Sequence, residues 1–405
     1  MSKSSKCIVT ITGIRPDFIR MSEVFKKLDK EFNHILIHTG QHFDTYLTDI
    51  FFQQLHIRPP DYTLNCGKES KNHYEQLSYL SVKVPELFRE KNIKPDLIVF
   101  LGDSNTAALS LVLKKEGYTI CHIEAGMRSG DKRMLEEINR ITCDHCSDLL
   151  FVYHRNYLEN LKMENITENV HIVGNTITEV LNKFKDQLTV DPSDKNTMIL
   201  VDIHRPENFK FPDRLQGIID FAYLSGIRYN IPVKILYFKR LDEALRQYKI
   251  SLKNIEMVPL MGYKEYLQTV LKSKFLISDS GTGQEEPALL GIPVVVPRDY
   301  TERPQSYYNN CSVRLKLSDS GRRSRPNSGG GEIRQQEHHQ HCWKWLETLG
   351  KDYLSSGIAS RPLRGLEHSE SLNRPDGAGI KVEWLGDGEV SRKIVDQIQN
   401  FLNDK

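Results

Sequence analysis

The chain has 405 residues, of which 39% are hydrophobic and 27% are charged, and its formal net charge is +2. This balance is typical of a soluble globular protein and is too even to indicate a nucleic-acid partner. The seven cysteines are scattered and odd in number, and no apolar segment follows Met1. No run approaches the roughly 20 apolar residues of a membrane span. We therefore expect a cytoplasmic protein with two domains of ordinary size, no disulfide framework and no membrane segment.

Four apolar runs in the first half predict buried strands at residues 7–11, 34–38, 96–101 and 119–123. Strands and helices alternate along the chain, which predicts an α/β fold with right-handed crossovers and parallel sheets. Ligands of such sheets bind at the carboxyl ends of the strands. Arg15 lies at such an end, just before a helix that carries Arg20. The alternative for Arg15 is a solvated surface side chain.

Two of these strands end on a carboxylate, Asp103 in one case and Glu124 in the other. A single acidic residue after a strand is usually a helix cap, which is the simpler interpretation of Asp103 alone. Two acids at one edge of a sheet are better candidates for an acid–base pair. Glu136 follows in a predicted helix, four residues before Arg140, so a surface ion pair is its simple alternative.

Cys143 and Cys146 have the spacing of zinc ligands, but no second ligand pair lies near them in the sequence. We expect no metal there and assign Cys143 to the core. Further apolar runs predict strands at residues 149–153, 170–173, 198–202, 233–238, 255–258 and 275–277. His204 follows one of these strands, as an active-site histidine would, although a structural histidine is the more common case.

Residues 276–304 combine a strand end, a glycine-rich turn, a helix and a further strand at residues 293–296. The turn consists of Ser280, Gly281, Thr282 and Gly283. Its small residues would let a phosphate approach backbone N–H groups at a positive helix end. Residues 284–286 open a helix that runs through Leu290 and is closed by Gly291. Glu286 lies one turn in, where its carboxylate could accept two sugar hydroxyls. An ordinary strand–turn–helix connection is the alternative for the turn taken alone.

Several motifs, taken together and in order, resemble those of the UDP-N-acetylglucosamine 2-epimerases. They are GIRPDFIR at residues 13–20, TGQH at 39–42, HIEAGMRSGD at 122–131, EEINR at 136–140, HRPEN at 204–208, DSGTGQEE at 279–286 and RDYTERP at 298–304. The chain departs from the family pattern at Leu135, Pro206 and the Thr282–Gly283 pair. The resemblance covers residues 1–317 and 384–405.

The resemblance implies two Rossmann-like domains with parallel sheets, the glycosyltransferase-B architecture, with UDP in the cleft between them. The implied first domain spans residues 1–177, and a C-terminal helix at about 389–405 packs back onto it. The implied second domain spans residues 178–388 and binds UDP. A homodimer is expected.

The resemblance also implies an isomerase, a non-hydrolysing enzyme that converts UDP-N-acetylglucosamine to UDP-N-acetylmannosamine. UDP is eliminated to leave a glycal and is then added back, with no metal and no cofactor. The implied catalytic residues are Asp103, Glu124, Glu136 and His204. The implied substrate contacts are Arg15, Arg20, Ser280, Gly281, Thr282, Gly283, Glu286 and Arg303. Gln41 and His42 are implied to bind a second UDP-N-acetylglucosamine, which acts as an activator.

Three alternatives stay open at this point. A hydrolysing epimerase would release free N-acetylmannosamine and UDP, although Gln41 and His42 argue against it. A related enzyme could act on a diacetamido sugar nucleotide. The chain could also be an inactive UDP-sugar-binding protein.

The last alternative arises because residues 318–379 do not resemble the family. This segment contains an Arg-Arg pair, a triple glycine and a cluster of His and Gln, and it lacks a clear strand pattern. It is an insertion or a stretch of shifted reading frame, and we expect most of it to be solvated and poorly packed. A short helix is expected near residues 342–349. Trypsin should cut first at Arg322, Arg323 or Arg325, and deletion of about residues 320–379 should leave UDP binding intact.

Overall fold

The computed structural model describes residues 4–41, 52–132, 134–317, 339–349 and 379–405. The chain divides into two compact units. The first comprises Met1–Lys183 and Trp384–Lys405, and the second comprises Phe184–Glu383. Each unit contains one sheet whose strands are all parallel. The predicted α/β class with two parallel sheets is therefore confirmed.

The sheet of the first unit has seven strands in the order β3-β2-β1-β4-β5-β6-β7. They are β1 (Cys7–Thr12), β2 (Asn33–His38), β3 (Tyr62–Thr63), β4 (Leu97–Leu101), β5 (Ile120–Ile123), β6 (Leu149–Val152) and β7 (Val170–Ile172). Strand β1 pairs with β2 on one side and with β4 on the other, so the winding direction reverses between β1 and β4. Connections leave this point in opposite directions, which opens a crevice at the carboxyl ends of the two strands.

The helices of the first unit connect these strands. They are α1 (Arg15–Glu31), α2 (Cys66–Glu69), α3 (His73–Glu90), α4 (Asn105–Ala108), α5 (Ser110–Lys115), α6 (Leu135–Cys146), α7 (Arg155–Met163) and α8 (Thr176–Phe184). The start of α1 is defined by Pro16 in its first turn and by Asp17, whose carboxylate accepts hydrogen bonds from the N–H groups of Gly13 and Ile14. The helix therefore begins directly at the switch point.

The sheet of the second unit has six strands in the order β10-β9-β8-β11-β12-β13. They are β8 (Met198–Asp202), β9 (Val233–Leu236), β10 (Ile255–Val258), β11 (Ser273–Ser278), β12 (Val294–Val296) and β13 (Ser312–Arg314). Here the direction reverses between β8 and β11. The predicted histidine follows β8 and the glycine-rich turn follows β11. Candidate ligand-binding residues therefore lie at the switch point of the second sheet, as they do in the first.

Helices also connect the strands of the second unit. They are α9 (Pro206–Phe209), α10 (Pro212–Tyr229), α11 (Lys239–Tyr248), α12 (Tyr263–Lys272), α13 (Glu286–Leu289), α14 (Gln305–Tyr308) and α15 (residues 339–349). Short 3-10 turns cover Lys185–Gln187, Pro192–Asp194, Thr282–Gln284 and Glu383–Leu385. The glycine-rich turn thus leads into a 3-10 turn before α13, where the sequence predicts one continuous helix.

The last helix, α16 (Val390–Asn403), belongs to the first unit and packs against α1. The chain enters it beside the end of the first sheet, where the Asn175 N–H donates to the Leu385 carbonyl at 2.8 Å. A Cβ on Gly386 would lie 2.8 Å from the Gly174 Cα, so the two backbones approach as only glycine permits. Glu179 accepts hydrogen bonds from the Ser391 N–H and hydroxyl, each at 2.7 Å.

Residues 339–349 confirm the short helix expected near residues 342–349, but their apolar side chains are packed in a core and are not solvated. They form α15, and Cys342, Trp343 and Leu346 belong to the core of the second unit. The Trp343 ring stacks on Phe221 with centroids 5.6 Å apart, and its indole N–H donates to the Ser225 hydroxyl at 2.8 Å. A few apolar residues at helical spacing are enough to anchor one helix in a core, even where the composition of the segment is polar. Arg322, Arg323 and Arg325 lie outside the described residues.

Two strands were not predicted from the sequence, β3 and β13. Strand β3 has only two residues and β13 only three, and both lie at a sheet edge. Runs this short carry no periodicity, and pairing with the neighbouring strand decides their conformation.

Candidate active site

In the first unit, Asp103 and Glu124 lie on tight turns at the carboxyl ends of two neighbouring strands. Strands β4 and β5 pair in register, with Leu101 opposite Ile123. Glu124 itself has φ +71°. This left-handed backbone costs a residue with a side chain about 1–3 kcal/mol, and such strain is concentrated at functional sites. The structure thus brings these two predicted residues together, on a backbone that the surrounding fold holds in place.

Two buried guanidinium groups connect the acids. Arg140, on α6, donates from Nη2 to Glu124 Oε1 at 2.9 Å and also to Asp103 Oδ2. Arg20, on α1, donates from Nη1 to the other Glu124 oxygen, Oε2. The Arg140 side chain is completely buried, and Arg20 and Glu124 are nearly so. Buried charges need such pairing, because an unpaired ion in a low-dielectric interior is strongly disfavoured.

A third carboxylate, Asp17, continues this arrangement at the start of α1. Its Oδ2 accepts from the N–H groups of Gly13 at 2.8 Å and Ile14 at 3.1 Å, and its Oδ1 lies 3.4 Å from Arg20 Nη2. Burial raises the pKa of Asp17 to about 6, although Arg20 and the two backbone donors act in the opposite direction. Asp17 and Glu124 thus contact different nitrogens of the Arg20 guanidinium.

Two adjacent glutamates at the start of α6 have different surroundings. Glu137 is buried, and its carboxylate accepts from the N–H groups of Ser129 at 2.8 Å and Gly130 at 2.9 Å. It therefore holds the preceding loop. Glu136 is half-buried and lies one helical turn before Arg140, so both project from the same side of α6. Of the two, Glu136 is the better candidate for contact with a ligand.

A second buried network lies beneath the turn that carries Asp103. His122, on β5, is fully buried; its Nδ1 lies 2.6 Å from Asp144 Oδ1 and its Nε2 lies 2.8 Å from the Gly102 carbonyl oxygen. Burial opposes a charge on the ring, but the Cys143 sulfur and the Asp144 carboxylate together raise the His122 pKa well above its usual range. Since both neighbours are acceptors, the doubly protonated ring satisfies the geometry, and it ties the Gly102 turn to α6.

The pH dependence of stability tests this assignment. The raised His122 pKa contributes stability that is complete below pH 6.5 and is lost as the pH rises through the folded-state value. The pKa of Asp144 is lowered: burial alone would raise it, but His122 and Arg128 act more strongly. Its contribution is therefore present above pH 3.8 and is lost as the pH falls through the folded-state value. Both contributions to stability are therefore fully present together between pH 3.8 and pH 6.5.

We expect His122→Gln to destabilise the first unit by about 1–3 kcal/mol near pH 6, the cost of leaving a buried partner unsatisfied. The difference from wild type should shrink steadily as the pH is raised. Urea denaturation followed across the pH range measures it. The control is His145→Gln, because His145 lies on α6 with its side chain 48% exposed. A difference that stays constant from pH 6 to pH 9 would contradict the charged state of His122.

The remaining predicted residues of the first unit lie at the end of β1 or near it. Arg15 is the first residue of α1, and its side chain is outside the described part of the structure. The Gln41 N–H donates to the Gly13 carbonyl at 3.2 Å, and its side-chain oxygen would lie 3.1 Å from a Cβ on Gly13. Gln41 therefore lies at the switch point of the first sheet. His42 lies outside the described residues.

In the second unit, the glycine-rich turn is too tight for side chains at its two glycines. A Cβ on Gly283 would lie 2.4 Å from Ser278 Oγ, and one on Gly281 would lie 2.7 Å from Arg303 Nη1. The Ser280 N–H donates to Ser278 Oγ at 3.1 Å, which closes the turn directly after β11. Ser280 and Thr282 are partly exposed, and their hydroxyl oxygens lie 3.1 Å apart. The turn thus presents small polar groups and backbone at the strand end.

Two predicted substrate contacts are buried beneath this turn. The Arg303 Nε donates to Glu285 Oε1 at 2.5 Å, and its guanidinium packs against Gly281. Glu286 Oε1 accepts a hydrogen bond from the Tyr263 hydroxyl at 2.7 Å. Burial and the Glu286 carboxylate raise the Tyr263 pKa well above its usual range, so Tyr263 remains a donor. Arg303 and Glu286 support the turn from within the unit.

His204 lies near the turn, at the end of the neighbouring strand β8. Its Nδ1 lies 3.3 Å from Asp202 Oδ1 and 3.5 Å from Asp279 Oδ1, and its side chain is 37% exposed. Desolvation disfavours a charged ring, but the carboxylates of Asp279 and Asp202 raise the His204 pKa above its usual value. Near neutral pH the ring can therefore carry a proton while it remains accessible from solvent.

Sequence reasoning missed Asp279, which organises this part of the site. Its fully buried carboxylate accepts from the N–H groups of His204 at 3.0 Å and Arg205 at 3.1 Å, and from the Asn208 side chain at 2.7 Å. It thereby joins the loop after β8 to the end of β11. Arg140 was noted only as a partner of Glu136. For Asp279 the available signal was its position in a motif directly after a strand, and for Arg140 it was only the motif on α6.

The two cysteines with zinc-ligand spacing lie on helix α6. Cys143 is fully buried in the core, as expected, and His145 on the same helix contacts Glu164 at 3.3 Å. Among the residues that the structure describes, no cluster of three or more His, Cys, Asp or Glu side chains could hold a metal ion. Within the same ranges, no helix has the length and apolar character that a membrane crossing requires.

Comparison with known proteins identifies a family to which this chain is similar. The family model of UDP-N-acetylglucosamine 2-epimerases matches residues 26–320. A UDP-N-acetylglucosamine 2-epimerase homolog of Methanococcus maripaludis is 36% identical over 323 residues, which cover 76% of this chain and 87% of the relative. A UDP-2,3-diacetamido-2,3-dideoxy-D-glucuronate 2-epimerase of Pseudomonas aeruginosa is 34% identical over 304 residues, which cover 73% of this chain and 84% of the relative.

A solved structure extends the similarity to both units. The crystal structure of the Methanocaldococcus jannaschii UDP-GlcNAc 2-epimerase in complex with UDP-GlcNAc and UDP matches with a TM-score of 0.77 and 25% sequence identity. The match covers 97% of this chain and 99% of that one. The predicted α/β fold of glycosyltransferase-B type is thereby confirmed. The chain therefore belongs to the UDP-N-acetylglucosamine 2-epimerase family, a family of isomerases.

Proposed function

We propose that the chain catalyses non-hydrolysing C2 epimerisation of UDP-N-acetylglucosamine to UDP-N-acetylmannosamine. The observation that carries this proposal is the pair of carboxylates Asp103 and Glu124, joined by the Arg140 guanidinium at the carboxyl ends of two strands. Two carboxyl groups with different surroundings are suited to proton transfer at carbon. The family membership and the sugar nucleotide in the M. jannaschii structure support the choice of substrate.

The proposed reaction has two steps, the elimination of UDP from the sugar and its addition back. A carboxylate of the site takes the C2 proton, the C2–H electron pair forms a C1=C2 double bond, and UDP leaves C1 with the electron pair of the C1–O bond. A proton then returns to C2 on the other face, and UDP adds back to C1. A C2 hydrogen is weakly acidic, so stabilising the departing diphosphate supplies much of the driving force. Among the described residues, we assign that role to the N–H groups of the 280–283 turn and to the protonated His204 ring.

The experiment that tests the proposal is incubation of the purified protein with UDP-N-acetylglucosamine in D2O, followed by NMR. We expect deuterium at C2 and the appearance of UDP-N-acetylmannosamine, without accumulation of free N-acetylmannosamine. Free N-acetylmannosamine together with UDP would instead identify a hydrolysing enzyme. The absence of both C2 exchange and product would favour a UDP-sugar-binding protein without catalytic activity.

A second candidate substrate is favoured by one observation, the 34% identity to the P. aeruginosa diacetamido-glucuronate epimerase. The same NMR experiment with UDP-2,3-diacetamido-2,3-dideoxy-D-glucuronate distinguishes the two. Exchange at C2 of this compound, and not of UDP-N-acetylglucosamine, would assign the chain to the second substrate.

The glycine-rich turn makes a testable contribution to UDP binding. Gly283→Ala places a methyl group against Ser278 Oγ and Ser280 Cβ, so the turn must open. Because UDP binding requires the closed turn, closing it again on binding should cost about 1–3 kcal/mol, the range for overpacking, which corresponds to a roughly 5- to 150-fold weaker affinity for UDP. Isothermal titration calorimetry measures it. Asn254→Ala, an exposed change in the same unit, is the control. Unchanged UDP affinity in Gly283→Ala would place the nucleotide elsewhere.

We also propose that the substrate activates the enzyme through Gln41, which lies beside Gly13 at the first switch point. The reverse reaction from pure UDP-N-acetylmannosamine should then start with a lag that added UDP-N-acetylglucosamine removes. Gln41→Ala should abolish this response. A coupled assay of the initial phase measures the lag. Reverse kinetics without a lag, unchanged by the substitution, would contradict activation.

A further inference from the structure

Three loops of the second unit follow adjacent strands of its sheet, β8, β11 and β12. The first loop contains His204, the second is the glycine-rich turn at residues 280–283, and the third spans residues 297–304. Binding residues on loops need a rigid scaffold to position them. A ligand that contacts several of these loops is therefore bound well only when the loops are fixed relative to one another.

Arg214, on α10, contacts the third loop directly. Its side chain is buried; Nη1 donates to Asp299 Oδ2 at 3.0 Å and Nη2 donates to the Pro297 carbonyl oxygen at 3.0 Å. The guanidinium is planar and its donors form a rigid fork, so two such bonds set both the distance and the direction of the contact. Helix α10 thereby holds the loop after β12.

The third nitrogen of Arg214 contacts the loop after β8. Its Nε donates to Asn208 Oδ1 at 2.7 Å, and Asn208 in turn donates from Nδ2 to Asp279 Oδ2 at 2.7 Å. Asn208 and Asp279 are both completely buried. The Asn208 amide thus has one partner on its oxygen and another on its nitrogen. We call Arg214, Asn208 and Asp279 together the Arg214 bridge.

Asp279 connects the Arg214 bridge to the glycine-rich turn and to His204. It lies directly before Ser280, and its carboxylate accepts from the N–H groups of His204 at 3.0 Å and Arg205 at 3.1 Å. The Arg205 side chain adds a further bond, because its Nε donates to the Asp279 carbonyl oxygen at 3.0 Å. One continuous set of hydrogen bonds therefore joins the ends of β8, β11 and β12.

The Arg214 bridge lies beneath the residues that are open to a ligand. Its three side chains are buried, whereas His204, Ser280 and Thr282 are partly exposed. Each nitrogen of the Arg214 guanidinium already donates to an oxygen of the protein. Arg214 therefore acts on a ligand only through the loops that it holds.

We propose that Arg214 is a positioning residue for a nucleoside diphosphate, which fixes the His204 loop and the loop after β12 on either side of the glycine-rich turn. This inference rests on the proposed function, which places UDP at that turn. The turn offers backbone N–H groups to phosphate oxygens, and His204 offers a ring N–H. Both contacts form together only while the two loops keep their spacing.

Isothermal titration calorimetry with UDP tests this role. Arg214→Lys keeps the positive charge but offers one nitrogen in place of three, so it cannot hold both loops. We expect UDP affinity to be about 10-fold weaker or more, the equivalent of one lost hydrogen bond to a charged group. The matched control is Arg228→Lys, because Arg228 lies on the same helix, is 37% exposed and pairs with Glu347. The control should bind UDP as wild type does.

A double-mutant cycle separates positioning from a general loss of structure. His204→Gln removes the ring that the Arg214 bridge positions, so Arg214→Lys should weaken UDP binding by a smaller factor in this background than in wild type. A residue that only stabilises the unit would lower the folded fraction, which the binding stoichiometry reports, and would leave the Kd of the folded protein unchanged. Equal factors in the two backgrounds would overturn the proposal.

Asp299→Ala is the second variant, for the case in which Arg214→Lys does not fold. The Asp299 side chain is 44% exposed, so its removal leaves no buried cavity, yet it releases Arg214 Nη1 from the loop after β12. UDP affinity should be about 5-fold weaker, the net value of one typical hydrogen bond. Wild-type affinity in this variant would contradict the role of Arg214.

The outcome also separates this inference from the proposed function. Wild-type protein that binds neither UDP nor UDP-N-acetylglucosamine would reject the proposed function. Wild-type protein that binds UDP, combined with an unchanged Kd in Arg214→Lys, would reject only the role of Arg214.

Discussion

Asp103→Asn is expected to lower kcat by about 10²-fold or more, the scale of lost acid–base catalysis. The substitution keeps the size of the side chain and removes the charge that pairs with Arg140. UDP affinity should be retained, since the predicted contacts to UDP lie mainly in the other unit. Steady-state kinetics with UDP-N-acetylglucosamine, together with calorimetry of UDP binding, measures both quantities.

The matched control is Asp96→Asn. Asp96 immediately precedes the same strand, β4, at its amino end, where it pairs with Lys6 and accepts from the Cys7 N–H. It should have near-normal kcat, because only carboxyl ends of parallel strands converge on the ligand crevice. Glu124→Gln and Glu136→Gln should also lower kcat by about 10²-fold. Near-normal turnover in all three carboxamide variants of Asp103, Glu124 and Glu136 would show that the site lies elsewhere.

Trp343→Ala is expected to lower the free energy of unfolding of the second unit by about 3–5 kcal/mol, the range for removal of a large buried aromatic side chain. The ring stacks on Phe221, bonds to Ser225 through its N–H and lies 5.0 Å beneath the Arg228 guanidinium. For a unit of this size the melting temperature falls about 2–4 °C per kcal/mol. Differential scanning calorimetry measures the melting temperature, and the transition that moves when UDP is added identifies the unfolding of the second unit.

The control for this prediction is Lys344→Ala, an exposed change on the same helix. Deletion of residues 320–379 removes α15 and should therefore also destabilise the second unit. The sequence alone predicts only that this deletion leaves UDP binding intact. A deletion variant with wild-type melting temperature and wild-type UDP affinity would show that α15 is dispensable.

The sequence by itself determined the fold class, the family resemblance and, among the described strands, all except β3 and β13. Continuous apolar runs such as the one in β4 are typical of strands buried on both faces of a parallel sheet. The composition and length of such a run were therefore enough to predict the strand. The candidate residues Asp103, Glu124 and His204 were found because ligand groups of α/β folds follow strand ends, a position that is readable along the chain.

Only the tertiary structure decided which charged side chains pair with one another. Arg140 lies 37 residues from Asp103 and 16 from Glu124, yet one of its nitrogens contacts both. Asp279 binds the backbone of a residue 75 positions away. Helix α15 entered the core because its few apolar side chains met Phe221 and Ser225 on α10. Such pairings depend on the distance between side chains in space, which local propensity and periodicity do not contain.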